Sequence, residues 1–117
     1  MDICVDFDGT CVTHEYPDVG KSIGAEEVLR DLVKIGHNLI LFTMRSGDKL
    51  DDAVRWFEEN GIKLYGINVN PTQGRWTDSP KAYAHLYIDD AALGTPLITG
   101  NGRPYVDWQR IRILLGV

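Results

Sequence analysis

The stretch that decides the fold is Ile3-Cys4-Val5-Asp6-Phe7-Asp8-Gly9-Thr10. Its apolar run reads as a buried strand, Ile3 to Phe7, that breaks off into acids and a Gly-Thr turn. Working outward, the apolar period changes several times. Ala25 to Ile35 carries Val28, Leu29, Leu32 and Ile35 on one side, and Gly36 stands where the chain leaves a helix. Asn38 to Phe42 is a second, continuously apolar strand. After Ser46-Gly47, the residues Leu50, Ala53, Val54 and Phe57 follow the i, i+3, i+4, i+7 rule up to a stop at Asn60-Gly61.

A shorter third strand is expected from Leu64 to Val69, and a fourth from Leu86 to Ile88, entered through a helical turn opened by Ser79-Pro80. Leu97-Ile98 is a candidate fifth strand. A closing helix from Asp107 places Trp108, Ile111 and Leu115 near one face. Strands alternating with helices, with strands apolar throughout, predict an α/β fold: a doubly wound three-layer sandwich around a mainly parallel central sheet. In such folds ligands sit beyond the carboxyl ends of the strands.

With 117 residues the chain has room for one domain, 1–117, and no internal repeat or linker divides it. Composition is 44% hydrophobic and 25% charged, ordinary for a globular protein. No segment approaches the roughly 20 apolar residues of a membrane span, and the first residues lack the pattern of a signal peptide. These features predict a cytoplasmic protein without membrane contact. A net charge of -5 with no basic run argues against duplex nucleic acid as a partner. Cys4 and Cys11 fit neither a disulfide framework nor a zinc site, and Cys4 reads as a small buried residue.

Polar groups from three strands converge on one edge: Asp6 and Asp8 after the first, Thr43 after the second, and Asp89-Asp90 after the fourth. A single Asp at a strand end is usually a turn residue. Four carboxylates at one edge would repel one another, and a cation is the ordinary remedy. Lys81 is expected in the first turn of a helix, where a cation opposes the helix dipole unless it points at carboxylates or phosphate. Arg45 is either a planar phosphate donor or a partner in a loop ion pair. His14 and Tyr16 fall where a substrate could be bordered. His37 and His85 stand at strand entrances, away from the edge.

These residues resemble the haloacid dehalogenase (HAD) superfamily. Asp6-Phe7-Asp8-Gly9-Thr10 is similar to its D-x-D-G-T motif, and Leu39-Ile40-Leu41-Phe42-Thr43 to its apolar strand ending in Thr or Ser. Lys81 and Tyr87-Ile88-Asp89-Asp90 match the basic residue and the final acidic motif. The resemblance implies a HAD-like, Rossmann-type fold and a magnesium-dependent phosphatase. Asp6 would be the nucleophile and Asp8 the general acid and base, with Lys81 assisting. Thr43, Lys81, Arg45 and backbone amides such as that of Met44 would hold phosphate. Mg2+ would be bound by Asp6, Asp8 through its carbonyl, and Asp89, with Asp90 close by.

The segments Cys11–Ile23 and Pro71–Trp76 are too short for a cap domain, which needs on the order of 50 residues. An open site is therefore expected, suited to a large phosphorylated substrate or a nucleic-acid end, or covered by a homo-oligomeric neighbour. Arg75 and Trp76 either stack or pair with such a substrate or are a solvated Arg beside a packing Trp. Two rivals are a receiver-like signalling domain, disfavoured because the third strand ends in Tyr65-Gly66-Ile67-Asn68 with no aspartate, and a non-catalytic HAD-like binding protein.

Overall fold

The computed structural model describes residues 1–117. Four parallel strands form the sheet: β1 (Asp2–Val5), β2 (Asn38–Leu41), β3 (Gly66–Ile67) and β4 (Leu86–Ile88), in the order β3-β2-β1-β4. Helix α1 (Ala25–Lys34) joins β1 to β2, and α2 (Gly47–Glu59) joins β2 to β3. A two-stranded antiparallel ribbon, β5 (Leu97–Ile98) with β6 (Tyr105–Val106), leads into α3 (Trp108–Leu115). No helix is long and apolar enough to cross a membrane.

Crossovers between parallel strands follow a right-handed rule. The chain steps from β1 to β2 to β3 in one direction, so α1 and α2 share one face of the sheet. There Ile3, Val5, Phe7, Leu39, Leu41 and Ile88 pack with Val28, Leu29 and Leu32 of α1, Ala53 and Phe57 of α2, and Trp108 and Ile111 of α3. The return from β3 to β4 runs in the opposite sense and takes the other face. That face carries a small cluster, Cys4, Ile40 and Ala82, flanked by Phe42, Tyr65, Ala84 and Tyr87.

Here the structure departs from the sequence expectation, because the β3–β4 connection contributes no α-helix and the turn expected at Ser79-Pro80 is absent. Apart from a 3-10 turn at Gln73–Arg75, the connection is extended or irregular. The reason lies in two buried side-chain amides. Gln73 Nε2 donates to the carbonyls of Ser79 (3.1 Å) and Lys81 (2.7 Å), and its Oε1 accepts from Tyr83 N (2.7 Å). One side chain thus satisfies alternate backbone groups of residues 79–83, as a neighbouring strand would. Asn70 likewise donates to Asp2 Oδ2 and the Tyr83 carbonyl, both at 3.0 Å.

Two strands are shorter than their apolar runs. β1 stops at Val5 because the Phe7 carbonyl accepts from the amides of Thr10, Cys11 and Val12, curling the chain out of the sheet. β3 is confined to Gly66–Ile67, since Asn68 takes φ 58, outside the extended region. The expected strand at Leu97-Ile98 forms, but pairs with β6 rather than joining the sheet.

The closing helix begins as its sequence predicts, with the Asp107 carboxylate accepting from Arg110 N at 3.2 Å. Trp108 is fully buried, and its indole N–H donates to the Thr10 carbonyl at 2.6 Å, fastening α3 beneath the loop after β1. Trp108→Ala is expected to cost about 3 to 5 kcal/mol. Trp108→Phe should keep most of the packing but leave the Thr10 carbonyl unpaired, for about 1 to 3 kcal/mol. Urea unfolding checks both values, and two variants within a few tenths of wild type would show that the helix is not fastened there.

Candidate metal and phosphate site

The strand register assembles the site. Val5 is paired with Ile88 and with Leu41, so the residues that follow, Asp6, Asp89 and Phe42, emerge side by side. The Asp6 amide extends the ladder to the Ile88 carbonyl at 3.0 Å. β1 and β4 flank the point where strand order reverses, the crevice in which open α/β sheets bind ligands. One carboxylate oxygen from each of Asp6, Asp89 and Asp90 lies within 4.8 Å of the others. A pocket of about 220 Å³ opens beside them, bounded by Cys4, Phe42, Tyr87 and Ala92.

Thr10 ties the cluster together. Its hydroxyl lies 2.9 Å from Asp6 Oδ2 and 3.3 Å from Asp90 Oδ1, and it accepts the Asp90 amide at 3.0 Å. With one proton, it donates to one carboxylate at a time. The second oxygen of Asp90 meets His14 Nε2 at 2.7 Å. Gly9 makes room for that contact: at φ 77, a Cβ there would stand 1.9 Å from His14 Nε2 and 2.6 Å from Asp90 Oδ2.

Burial, then the Asp89 charge, pushes Asp6 up to about 8. Burial also raises Asp89. Asp90 goes the other way: burial opposes its charge, but the hydrogen bonds from His14 and Asp6, with the charge of His14, outweigh it and leave its pKa low. At neutral pH Asp90 therefore holds charge while Asp6 retains a proton. All donors in the cluster are hard oxygens, a set suited to Mg2+ or Ca2+ rather than to zinc or copper.

Asp8 stands apart from the other acids. Both its oxygens accept from Arg45, Oδ1 from Nη2 at 2.7 Å and Oδ2 from Nε at 2.8 Å. Its carbonyl accepts no hydrogen bond within the chain, so a cation would meet Asp8 through the backbone and not through the carboxylate. The amides of Asp8 and Met44 likewise donate to no group in the chain, and so are free to meet an anion at the ends of β1 and β2. The Met44 side chain is 97% exposed and turned to solvent.

Thr43 is held at the β2 exit by Asn68, whose Oδ1 accepts the Thr43 amide at 2.8 Å. Its hydroxyl accepts the Arg45 amide at 3.1 Å and keeps its proton to donate. Arg45 is only 4% exposed, and all its donors are engaged. Besides Asp8, they reach the carbonyls of Pro17 (3.4 Å), Lys49 (3.1 Å) and Asp18 (2.8 Å). The phosphate-donor alternative for Arg45 is thereby corrected, because no N–H is left over.

Lys81 rides on the extended connection instead of a helix, so the dipole argument for it does not apply. Its Nζ lies 5.4 Å from the Tyr87 ring centroid and forms no ion pair. Tyr87 also borders the pocket of Asp6 and Asp89, which places Lys81 on the correct face, one side chain away. Trp76 packs edge-on against Tyr83, and Tyr83 against His85. His85 accepts the Asp2 amide at the entry of the sheet. Trp76 is thus held by packing, and it borders a hollow shared with Lys81 and Tyr87, while Arg75 is exposed; His85 marks the end of the sheet opposite the acids. His37, bonded to the Met1 amino group at 2.8 Å, is also at that end.

A scan against protein-family models gives no match, and neither does a search of curated proteins. The solved structure of a conserved protein from Bacteroides thetaiotaomicron is 36% identical, with a TM-score of 0.83, over 99% of this chain and 89% of that one. The chain belongs to that protein's family. Membership fixes the fold shared with the Bacteroides relative, and the chemistry must be argued from the site.

Sequence reasoning left three contributors to this family member's site unassigned. Thr10 was visible only as a turn residue of its motif. His14 offered one signal, its nearness to the first strand. Asn68 enters the sequence reading only where a receiver domain would need an aspartate, although an amide oxygen is what the Thr43 N–H requires.

Proposed function

We propose that the chain is a magnesium-dependent phosphatase of the HAD superfamily, in which Asp6 attacks a phosphate monoester and forms an aspartyl-phosphate that water hydrolyses. The observation that carries this reading is the register: it sets a partly buried carboxylate, Asp6, beside Asp89, with the unpartnered amides of Asp8 and Met44 at the neighbouring strand ends. A carboxylate nucleophile, oxygen ligands for a cation and free N–H groups for an anion then share one crevice.

Asp6, Asp89 and the Asp8 carbonyl would hold Mg2+, which when bound would keep Asp6 ionised and offset the charge of the phosphate. Asp90, oriented by His14 at 2.7 Å, would support the site from beside Asp89. The Thr43 hydroxyl and the two amides receive the non-bridging oxygens, and Lys81 approaches from the Tyr87 side. Asp8 would give a proton to the leaving oxygen in the first step and take one back from the attacking water in the second. Positioning of this kind supplies most of the catalysis in phosphoryl transfer.

The finer architecture belongs to the same reading: a three-layer arrangement, with the β3–β4 connection as the thin outer layer, and no cap. Supporting it, Cys11–Ile23 forms only isolated bridges. Tyr16, Met44 and Leu93, in the segments that follow β1, β2 and β4, are exposed. An open crevice suits a large phosphorylated substrate or a nucleic-acid end, or cover from a second copy of the chain.

The test is phosphate release from p-nitrophenyl phosphate and a panel of phosphorylated metabolites and oligonucleotide ends, with Mg2+ and with chelator. Release that needs the metal supports the reading; no release from any ester, or full release in excess chelator, rejects it. A related expectation concerns His14. Removing the partner that orients a metal-site carboxylate typically costs 10- to 100-fold in affinity, so His14→Ala should weaken Mg2+ binding by about that factor. Calorimetric titration checks it, and an unchanged affinity would return His14 to a loop contact.

A further inference from the structure

We infer that Arg45 is a positioning residue for Asp8, and that it sets Asp8 by locking the loop after β1 onto the loop after β2. This rests on the reading of Asp8 as a proton carrier given above. The guanidinium is sandwiched 5.1 Å from the ring centroids of both Phe7 and Tyr16, which fixes its plane. Within that plane two N–H groups grip the Asp8 carboxylate side-on. The remaining three hold the carbonyls of Pro17 and Asp18 in the first loop and Lys49 in the first turn of α2.

No other side chain bonds the Asp8 carboxylate, so its direction is set by Arg45 alone. A lysine could supply the charge but neither the fork nor the three carbonyl bonds. The geometry also explains why an arginine so near a phosphate site is withdrawn from solvent: it addresses the carboxylate that moves the proton, and leaves phosphate to the backbone amides.

Two measurements test this. The first needs no turnover. In the NMR spectrum of the wild-type protein the Arg45 Nε–H should be protected from exchange, and Asp8→Asn should remove that protection. Rapid exchange in the wild type overturns the proposal.

The second is a double-mutant cycle in kcat with Asp8→Asn, using Arg45→Ala and Arg45→Lys. Misplacement of a reacting group by about 1 Å can cost on the order of 10²-fold, so each Arg45 variant should lose about that much kcat with little change in KM. In the Asp8→Asn background the same change should cost almost nothing further, and millimolar guanidinium should restore part of the Arg45→Ala loss. Losses that multiply in the double variant, with no rescue, would mean that Arg45 only supports the fold. A protected Nε–H in a protein that cleaves no phosphate ester would reject the phosphatase reading and leave the hold on Asp8 intact.

Discussion

Asp6→Asn is expected to abolish turnover, by a factor on the order of 10⁴ to 10⁶, and also to raise the melting temperature of the metal-free protein at pH 8. The first effect follows from replacing an attacking carboxylate by an amide of the same shape. The second follows from burial. In the unfolded chain Asp6 ionises near its ordinary value of 3.8, whereas in the folded chain burial and Asp89 delay ionisation to about 8.

Between those values the folded state holds a proton that the unfolded state has released, so stability falls as pH rises through this window. Above it the folded protein bears the whole cost of a buried charge, of order a few kcal/mol. The amide carries no such penalty. The variant should therefore melt several degrees above wild type at pH 8, and the gap should close toward pH 3, below both values, where Asp6 is protonated in both states. Thermal melts across that range in chelator check it, and superimposable curves for the two proteins would show that Asp6 is not under electrostatic strain.

Asp89→Ala is expected to lower activity at saturating substrate by on the order of 10³-fold, the loss of several kcal/mol of charge stabilisation. Asp90 is a poor substitute: it follows in sequence, but one of its oxygens is held by His14 at 2.7 Å and the other shares the single Thr10 proton with Asp6. Excess Mg2+ should restore part of the lost rate if Asp89 acts as a ligand, and none if it acts on the proton. Wild-type activity in Asp89→Ala would remove the residue from the site.

The first half of the fold was legible because its signals are local. Apolar period and stop residues place α1 and α2 within a residue or so of their expected ends, and β2 and β4 likewise. The β3–β4 connection was not. Ser79-Pro80 is a genuine helix-start signal, but what decides the segment is the Gln73 amide, whose bonds to residues 79, 81 and 83 outcompete a helical turn. No periodicity reports a side chain that imitates a strand.

The candidate site shows the same division. Asp6, Asp89 and Asp90 were legible as strand-end acids, and the register brings them together. Arg45 was left open between phosphate and ion pair because the deciding partner, Asp8, lies 37 positions away. The pairing of His14 with Asp90 spans 76 positions and depends on the missing side chain of Gly9, which sequence alone displays only as a turn.

On its side of the sheet Cys4 packs in a small cluster with Ile40 and Ala82, flanked by Phe42, Tyr65, Ala84 and Tyr87, so the cover that the β3–β4 connection gives it is thin. A cover so thin should lift in local openings that leave the helical face intact. Cys4, its thiol pushed up to about 11 by burial, is inert while covered. Each lifting would bare it to a thiol reagent, whereas Cys11, inside the larger cluster, would wait for global unfolding. Because the same segment carries Lys81, the labelling rate of Cys4 is a clock for how often that lysine leaves its place over the Tyr87 ring.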